Sequence, residues 1–354
     1  GKPFERALVI GGGGISPGVS LGMIAGARAA GYEPDLIFTT CGAALGAAIL
    51  NAFDDPKDAL AYASSQEFHG TLWRLVNIDS RLPFGLRNKF EMAANRPTYL
   101  PDLFRDNILF VPEDINGILP RENFPTKIRS PKFIILGARA GFAPGDQHKE
   151  LDRGPLFKEV FFTDPQTARH LEGRKSTVKK LFPQSRLSPH TETFTGISMA
   201  QAARVSISDP FYLNPARIGG DYYFGGAIDL YPIETAQALA EEVLINYPSG
   251  LYTAYENLAI SSTYGFRQSD RTHLAAKTET VKWIDSSGTA ALGMDPTLEG
   301  FFFVNNIPAS YEKFKNTVLE QYRFGFERAQ EAVRAQRRHK NVRSHLRFTA
   351  TGEQ

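Results

Sequence analysis

The sequence holds a single cysteine, Cys41, in 354 residues, which excludes a disulfide framework and leaves the compartment open, since an exported protein without disulfides has the same count. An excess of one charge is also missing. Lys and Arg number 40 against 38 Asp and Glu, a net of +2, so no overall field points to nucleic acid. No apolar run approaches the roughly eighteen residues of a membrane-spanning helix, and no signal peptide heads the sequence. Any meeting with lipid is therefore expected from the aqueous side, by a water-soluble chain that is cytoplasmic or exported and able to sit peripherally on a membrane. Internal repeats, low-complexity tracts and metal-ligand spacings of His, Cys or carboxylates are absent, so neither a metal nor another cofactor is expected. The histidines (His69, His148, His170, His190, His273, His339 and His345) fall mostly in polar or basic stretches and read as surface positions, giving no support to a His-based triad.

What the sequence does hold is glycine concentrated in one place. Ala7-Leu8-Val9-Ile10 runs into Gly11-Gly12-Gly13-Gly14, then Ile15-Ser16-Pro17-Gly18 and an apolar stretch closed by Gly31. A buried strand feeding several unhindered N–H groups into a helix start is an anion-binding device. Two anions suit it, a dinucleotide pyrophosphate and the oxyanion of an acyl-transfer intermediate. A dinucleotide site calls for an acidic residue at the end of the next strand. Asp35 is at about the right distance but precedes the strand Leu36–Thr40, which sets its carboxylate at the wrong edge of the sheet and speaks against an NAD(P)-dependent oxidoreductase.

The second motif follows at once. Leu36-Ile37-Phe38-Thr39-Thr40-Cys41, Gly42-Ala43-Ala44-Leu45-Gly46 and Ala47-Ala48-Ile49-Leu50 read as strand, sharp turn and helix. This is the setting of a nucleophile elbow, in which Gly-x-Ser-x-Gly keeps small residues around a strained turn that exposes a hydroxyl. The central position here is Ala44, which has no Oγ and cannot attack. Either the natural chain lacks its nucleophile or a serine was deliberately exchanged. Taken alone, Gly42 and Gly46 also suit a packing turn of small residues. Cys41, three residues upstream, is a rival nucleophile, weighed against a buried small hydrophobe at the end of an apolar strand.

Strand and helix alternate through residues 4 to 64, which predicts a parallel sheet flanked by helices. Strands are expected at Ala7–Ile10 and Leu36–Thr40, helices at Pro17–Ala30 and Leu45–Phe53. From 66 to 130 prolines, basic residues and aromatics (Trp73, Phe84, Phe90, Tyr99, Phe104, Phe110) dominate, a texture read as a helical lid or insertion. The sheet resumes at Lys132–Ala138, whose Phe133-Ile134-Ile135-Leu136 run suits burial on both faces. A short strand at Val160–Thr163, a helix at Ile233–Ala240 and a strand from Glu241 follow. Tyr311–Gln336 reads as a long helix with Phe314, Val318, Tyr322, Phe326 and Ala329 near helical spacing. Arg337, Arg338, Lys340, Arg343 and Arg347 form a basic tail.

A third motif lies between. Ala202-Ala203-Arg204-Val205-Ser206-Ile207-Ser208-Asp209-Pro210-Phe211 and Tyr223-Phe224-Gly225-Gly226-Ala227-Ile228-Asp229-Leu230-Tyr231-Pro232, taken with the first fifty residues, resemble the patatin-like phospholipases, the patatin family of acyl hydrolases. That family has a Gly-rich oxyanion turn after the first strand, a Gly-x-Ser-x-Gly elbow, and an Asp in an Asp-Gly-Gly or Asp-Gly-Ala motif that partners the serine. The resemblance implies a single α/β domain over 1–354, a three-layer fold with a mainly parallel central sheet flanked by helices, with 66–130 as a helical lid insertion and 311–350 as a C-terminal helix and basic tail. Carried over position by position, Gly12, Gly13 and Gly14 match the oxyanion glycines, Gly22 a later family glycine, and Gly42 and Gly46 the elbow. Pro17 stands where the family has glycine, with Gly18 after it. Ala44 matches the serine, and Phe224, followed by Gly225 and Gly226, falls where Asp is expected, so both chemical positions depart from the family.

The resemblance implies ester hydrolysis of phospholipid or lysophospholipid by a serine–aspartate dyad, with the present chain an inactive form. Because the partner of such a nucleophile must both take and return a proton, Asp229, the nearest carboxylate past the glycines, is the candidate base. Its other reading is a cap for the helix near Pro232. The aromatic-rich segment 66 to 130 offers a surface for acyl chains or a bilayer, against ordinary packing, and the basic tail adds affinity for anionic lipid, against a solvated helix end. The alternative is a catalytically dead protein of the same fold that binds lipid or a protein partner; Phe224 favours it, since an Asp is rarely exchanged for Phe by design.

Overall fold

Alternate side chains of each central strand enter different cores, and this places the sheet. The computed structural model describes residues 1–53, 55–78, 102–105, 107–127, 131–146, 155–247, 254–300 and 302–335. The strands are β1 (Phe4–Gly11), β2 (Leu36–Thr40), β3 (Asn77–Ile78), β4 (Leu109–Phe110), β5 (Lys132–Ala140), β6 (Phe157–Phe162), β7 (Glu192–Phe194), β8 (Ala216–Ile218), β9 (Asp221–Phe224), β10 (Ala240–Tyr247) and β11 (Lys282–Asp285). Leu8, Ile10, Ile37, Phe133 and Ile135 point into one apolar cluster. Their neighbours Ala7, Val9, Leu36, Phe38, Ile134 and Leu136 point into another. That period of two, apolar on both faces, is the signature of a strand covered by helices on each side.

Among the described residues the main sheet has nine strands, ordered β11-β10-β1-β2-β5-β6-β7, with β9 beside β5 and β8 beside β9. Neighbours from β11 to β5 run parallel. β6 and β9 run antiparallel to β5, so the sheet is mixed but mostly parallel, as expected. One face carries α1 (Pro17–Ala29), α2 (Ala43–Phe53), α3 (Pro56–Ala63), α4 (Gln66–Leu75) and the helix Tyr311–Arg334; the other carries the helices Ile233–Leu239 and Gln268–Ala275. This is a three-layer α/β arrangement.

The helix Tyr311–Arg334 belongs to the core. Phe314, Val318 and Ala329 are fully buried, and its backbone meets α1 over a row of glycines. A Cβ on Gly18, Gly22 or Gly26 would stand 2.4, 2.1 or 2.2 Å from the carbonyl oxygens of Val318, Tyr322 and Phe326. Spacing of four residues puts these glycines on one face of α1, and only bare backbone permits this approach.

Of the segment 66–130, α4 is a helix capped by Ser65, whose hydroxyl accepts from Phe68 N at 3.1 Å, and it buries Phe68 and Leu72 in the core. β3 and β4 pair as a separate antiparallel ribbon, and no helix occurs over 107–127. Phe84, Phe90 and Tyr99, like the basic tail from Arg337 onward, lie outside the described residues. Among the described residues no helix is long and apolar enough to cross a membrane.

Candidate active site

β1 ends in a turn that only glycine can make. Gly12, Gly13 and Gly14 have φ of +77°, +100° and +57°, a run of left-handed backbone that L side chains resist. Asn246 on β10 holds its root, accepting from Gly11 N at 2.8 Å and donating to Gly11 O at 3.0 Å. Pro17 opens α1 at a position where a missing N–H costs nothing. The Gly12 N–H donates to Thr40 O at 3.2 Å and is thus committed to the scaffold, whereas those of Gly13 and Gly14 have no partner among the described residues. They are the donors left for an anion.

The end of β2 locks into this turn. Ala43 N donates to Gly12 O at 3.0 Å, and a Cβ on Gly42 would lie 1.9 Å from Gly14 O, so the two turns interleave. The residue that reverses the chain is Cys41, with φ of +56°, between the last residue of β2 and the start of α2 at Ala43. A non-glycine held with positive φ at a strand-to-helix turn is the geometry of a nucleophile elbow. Its N–H donates to Ser206 Oγ at 2.8 Å, and Ser206 Oγ donates to Leu136 O at 2.6 Å. Its Sγ donates to Asp209 Oδ2 at 3.3 Å. Burial first, and Asp209 next, hold the thiol well above its usual range.

The sequence reading centred the elbow on Ala44, and the structure places the apex three residues earlier. Ala44 is the second residue of α2, fully buried. Gly46 serves the α1–α2 crossing, where a Cβ would meet Ser20 Oγ at 1.9 Å. The reason is register: β2 ends at Thr40, and the small residues after Cys41 are required by packing against the glycine turn and α1.

The third motif supplies the cleft's other wall. Arg204 is completely buried at the end of the helix Met199–Ser206 and donates to the carbonyls of Pro112, Val111 and Asn214 at 2.8, 3.0 and 3.0 Å. These bonds fasten the loop that carries Asp209. The Asp209 Oδ1 accepts from Ala227 N at 3.2 Å, and Gly225 N donates to Ser208 O at 2.8 Å. Phe224 is buried with its ring 6.0, 6.1 and 5.9 Å from those of Phe104, Phe142 and Phe157. Asp295 closes the far side, accepting from Ile15 N at 3.2 Å and from the Tyr212 hydroxyl.

Asp229 is engaged elsewhere. It is 2 % exposed, accepts from Arg271 Nε at 3.2 Å and from Tyr231 N at 3.1 Å, and none of its hydrogen bonds reaches either turn. Arg271, itself fully buried, also donates to Glu234 at 2.7 Å. Burial raises the Asp229 carboxyl and Arg271 opposes that rise. Asp35 fastens β1, accepting from the Glu5 and Arg6 N–H groups at 2.9 Å each. His69, expected at the surface, is buried against Phe314 with ring centroids 4.6 Å apart. Asp209 and Asp295 were missed by the sequence reading. Asp209 stood inside the quoted third motif, and only the fold reveals that it faces Cys41.

The class is thus an α/β protein in which a glycine turn interleaves with a strand-to-helix elbow. The family profile described as Patatin, patatin-like phospholipase, matches residues 8–236, and the chain belongs to that family. Lipid acyl hydrolysis is the activity of the family, whose members are generally esterases and phospholipases acting on lipid. No curated protein matches the chain. Among solved structures it is similar to VipD from Legionella pneumophila, with a TM-score of 0.37 and 11 % identity over 94 % of this chain and 67 % of that one.

Proposed function

We propose that the chain cleaves carboxylic esters of phospholipids or lysophospholipids at the joint of the two turns, with the Cys41 thiol in the place of the family's serine. The observation that carries this reading is the positive φ of Cys41 at the strand-to-helix apex. The unpartnered N–H groups of Gly13 and Gly14 supply an oxyanion site, each such donor being worth roughly 3 kcal/mol in a transition state. The sulfur attacks the ester carbonyl, the alcohol leaves, and water releases the fatty acid from the thioester. A thiol held protonated by burial needs a neighbouring base at the moment of attack, because the thiolate is the nucleophile.

Two observations favour a second reading, that of a lipid-binding protein without turnover: Cys41 is only 8 % exposed, and the Asp295 carboxylate already stands beside the glycine turn. The two readings are separated by measuring fatty-acid release from a fluorogenic phospholipid and lysophospholipid, with mass spectrometry of the quenched protein. Hydrolysis is expected for the native chain with an acyl adduct on Cys41, and a loss of at least about 100-fold in Cys41→Ala. Equal release by the two proteins removes Cys41 from the chemistry; liposome binding without release by either supports the second reading.

A further inference from the structure

The family pattern asks for a carboxylate from the residue before the paired glycines, and the sequence puts Phe224 there. Phe224 cannot deliver one from its position, since its side chain lies in the aromatic cluster with Phe104, Phe142 and Phe157. The next residue faces the elbow. A Cβ on Gly225 would stand 2.3 Å from Asp209 Oδ1 and 2.8 Å from Ser206 O, and Ser206 is the residue whose hydroxyl receives the Cys41 N–H. The space into which a side chain at 225 would project is therefore filled by Asp209, sixteen positions earlier in the chain, both by its carboxylate and by its backbone N at 2.7 Å from that Cβ.

We propose that Asp209 is the catalytic base of this site, a carboxylate moved from the glycine hairpin to the facing loop, with Gly225 kept bare so that this loop and its carboxylate can approach. This rests on the reading of Cys41 as nucleophile. The two oxygens have separate duties. Oδ1 is fixed by the Ala227 N–H at 3.2 Å, which leaves Oδ2 for the thiol at 3.3 Å. As the C–S bond forms, the thiol proton passes to Oδ2; as the ester C–O bond breaks, that proton goes to the departing alkoxide. Water then attacks the thioester, gives a proton to Asp209, and the C–S bond breaks with that proton returned to sulfur. The fatty acid leaves and the thiol and carboxylate are as they began. The other titratable groups around the thiol are Tyr212, Tyr264 and Asp295.

The test is substitution at Cys41 and at Asp209. In the native chain, Cys41→Ala, Asp209→Asn and Asp209→Ala, phospholipid ester hydrolysis is measured beside thermal melting, and the rate of Cys41 alkylation by iodoacetamide is followed against pH. Loss of the base is expected to lower kcat by about 100-fold or more, while Asp209→Asn, having lost a negative charge beside the sulfur, is alkylated faster at pH 8 than the native chain. A residue with a purely structural role would not drive those two rates in opposite directions. If the native chain hydrolyses, Cys41→Ala does not, and Asp209→Asn keeps the native kcat, the proposal falls while the thiol reading stands. If Cys41→Ala hydrolyses like the native chain, or no ester is cleaved at all, the thiol reading falls and takes the proposal with it.

Discussion

At the end of a parallel strand the backbone reverses into the following helix, and the residue that takes the positive φ of the β2–α2 turn is Cys41. Ala44, the second residue of α2 and without any exposure, belongs to the apolar cluster on that face of the sheet. Serine introduced there is therefore expected to bring no chemistry: Cys41→Ala with Ala44→Ser hydrolyses lipid ester no faster than Cys41→Ala alone. The buried hydroxyl lowers stability by about 1–3 kcal/mol, the ordinary cost of desolvating a polar group, read by urea unfolding. Asp229 gives the complementary case. Asp229→Asn removes one partner of a fully buried Arg271, for a loss of about 3–5 kcal/mol, while the rate per folded molecule at saturating substrate stays within a few-fold of native. Both sites were placed by motif spacing, and the limit of that reading is physical. Spacing locates small residues but cannot tell glycines that free a nucleophile from glycines that let two turns interleave. Nor can it see that Asp209, far from the glycine hairpin in sequence, shares its space.

Larger pieces were more legible. The central strands, α1 and the long C-terminal helix stood out because burial on both faces and helical periodicity leave marks within one segment; the antiparallel course of β6 and β9 and the pairing of β3 with β4 depend on partners remote in sequence and left none. The glycines of α1 are an intermediate case. Gly22 was identified by family spacing alone, yet its duty is to admit the carbonyl of Tyr322, 2.1 Å from where a Cβ would sit. Gly22→Ala is expected to push α1 and the helix Tyr311–Arg334 apart, at about 1–3 kcal/mol for overpacking a tight interface. A drop in the denaturant midpoint would register it. Substitution at Gly31, which closes α1 with nothing within 4 Å of a Cβ, lacks that clash and costs only the strain of its φ of +86°.

The molecule as a whole carries an electrostatic liability on the sheet face opposite α1, where Glu159, Asp229 and Arg271 are buried together and Glu234 reaches them from the surface. Glu159 on β6 is 2 % exposed, and its Oε2 has no hydrogen-bond partner among the described residues. Burial pushes its carboxyl up to about 8, the neighbouring Asp229 and Glu234 push the same way, and Ser176 and Arg271 pull it back. Arg174 also feels its charge. The unfolded chain ionises this carboxyl near its ordinary value of 4.5, whereas the folded chain keeps the proton until about pH 8, so between these limits folding takes up a proton. By linkage, stability is then full below about pH 4.5 and declines as pH rises toward 8, at up to about 1.4 kcal/mol per unit. Glu159→Gln retains the neutral shape and cannot ionise. Melting temperatures taken from pH 5 to pH 8.5 should therefore fall for the native chain and stay nearly level for the variant, with the two curves close at pH 5 and parting toward the alkaline end. Parallel curves would mean that Glu159 is already ionised in the folded protein, held by Arg271 across the buried cluster.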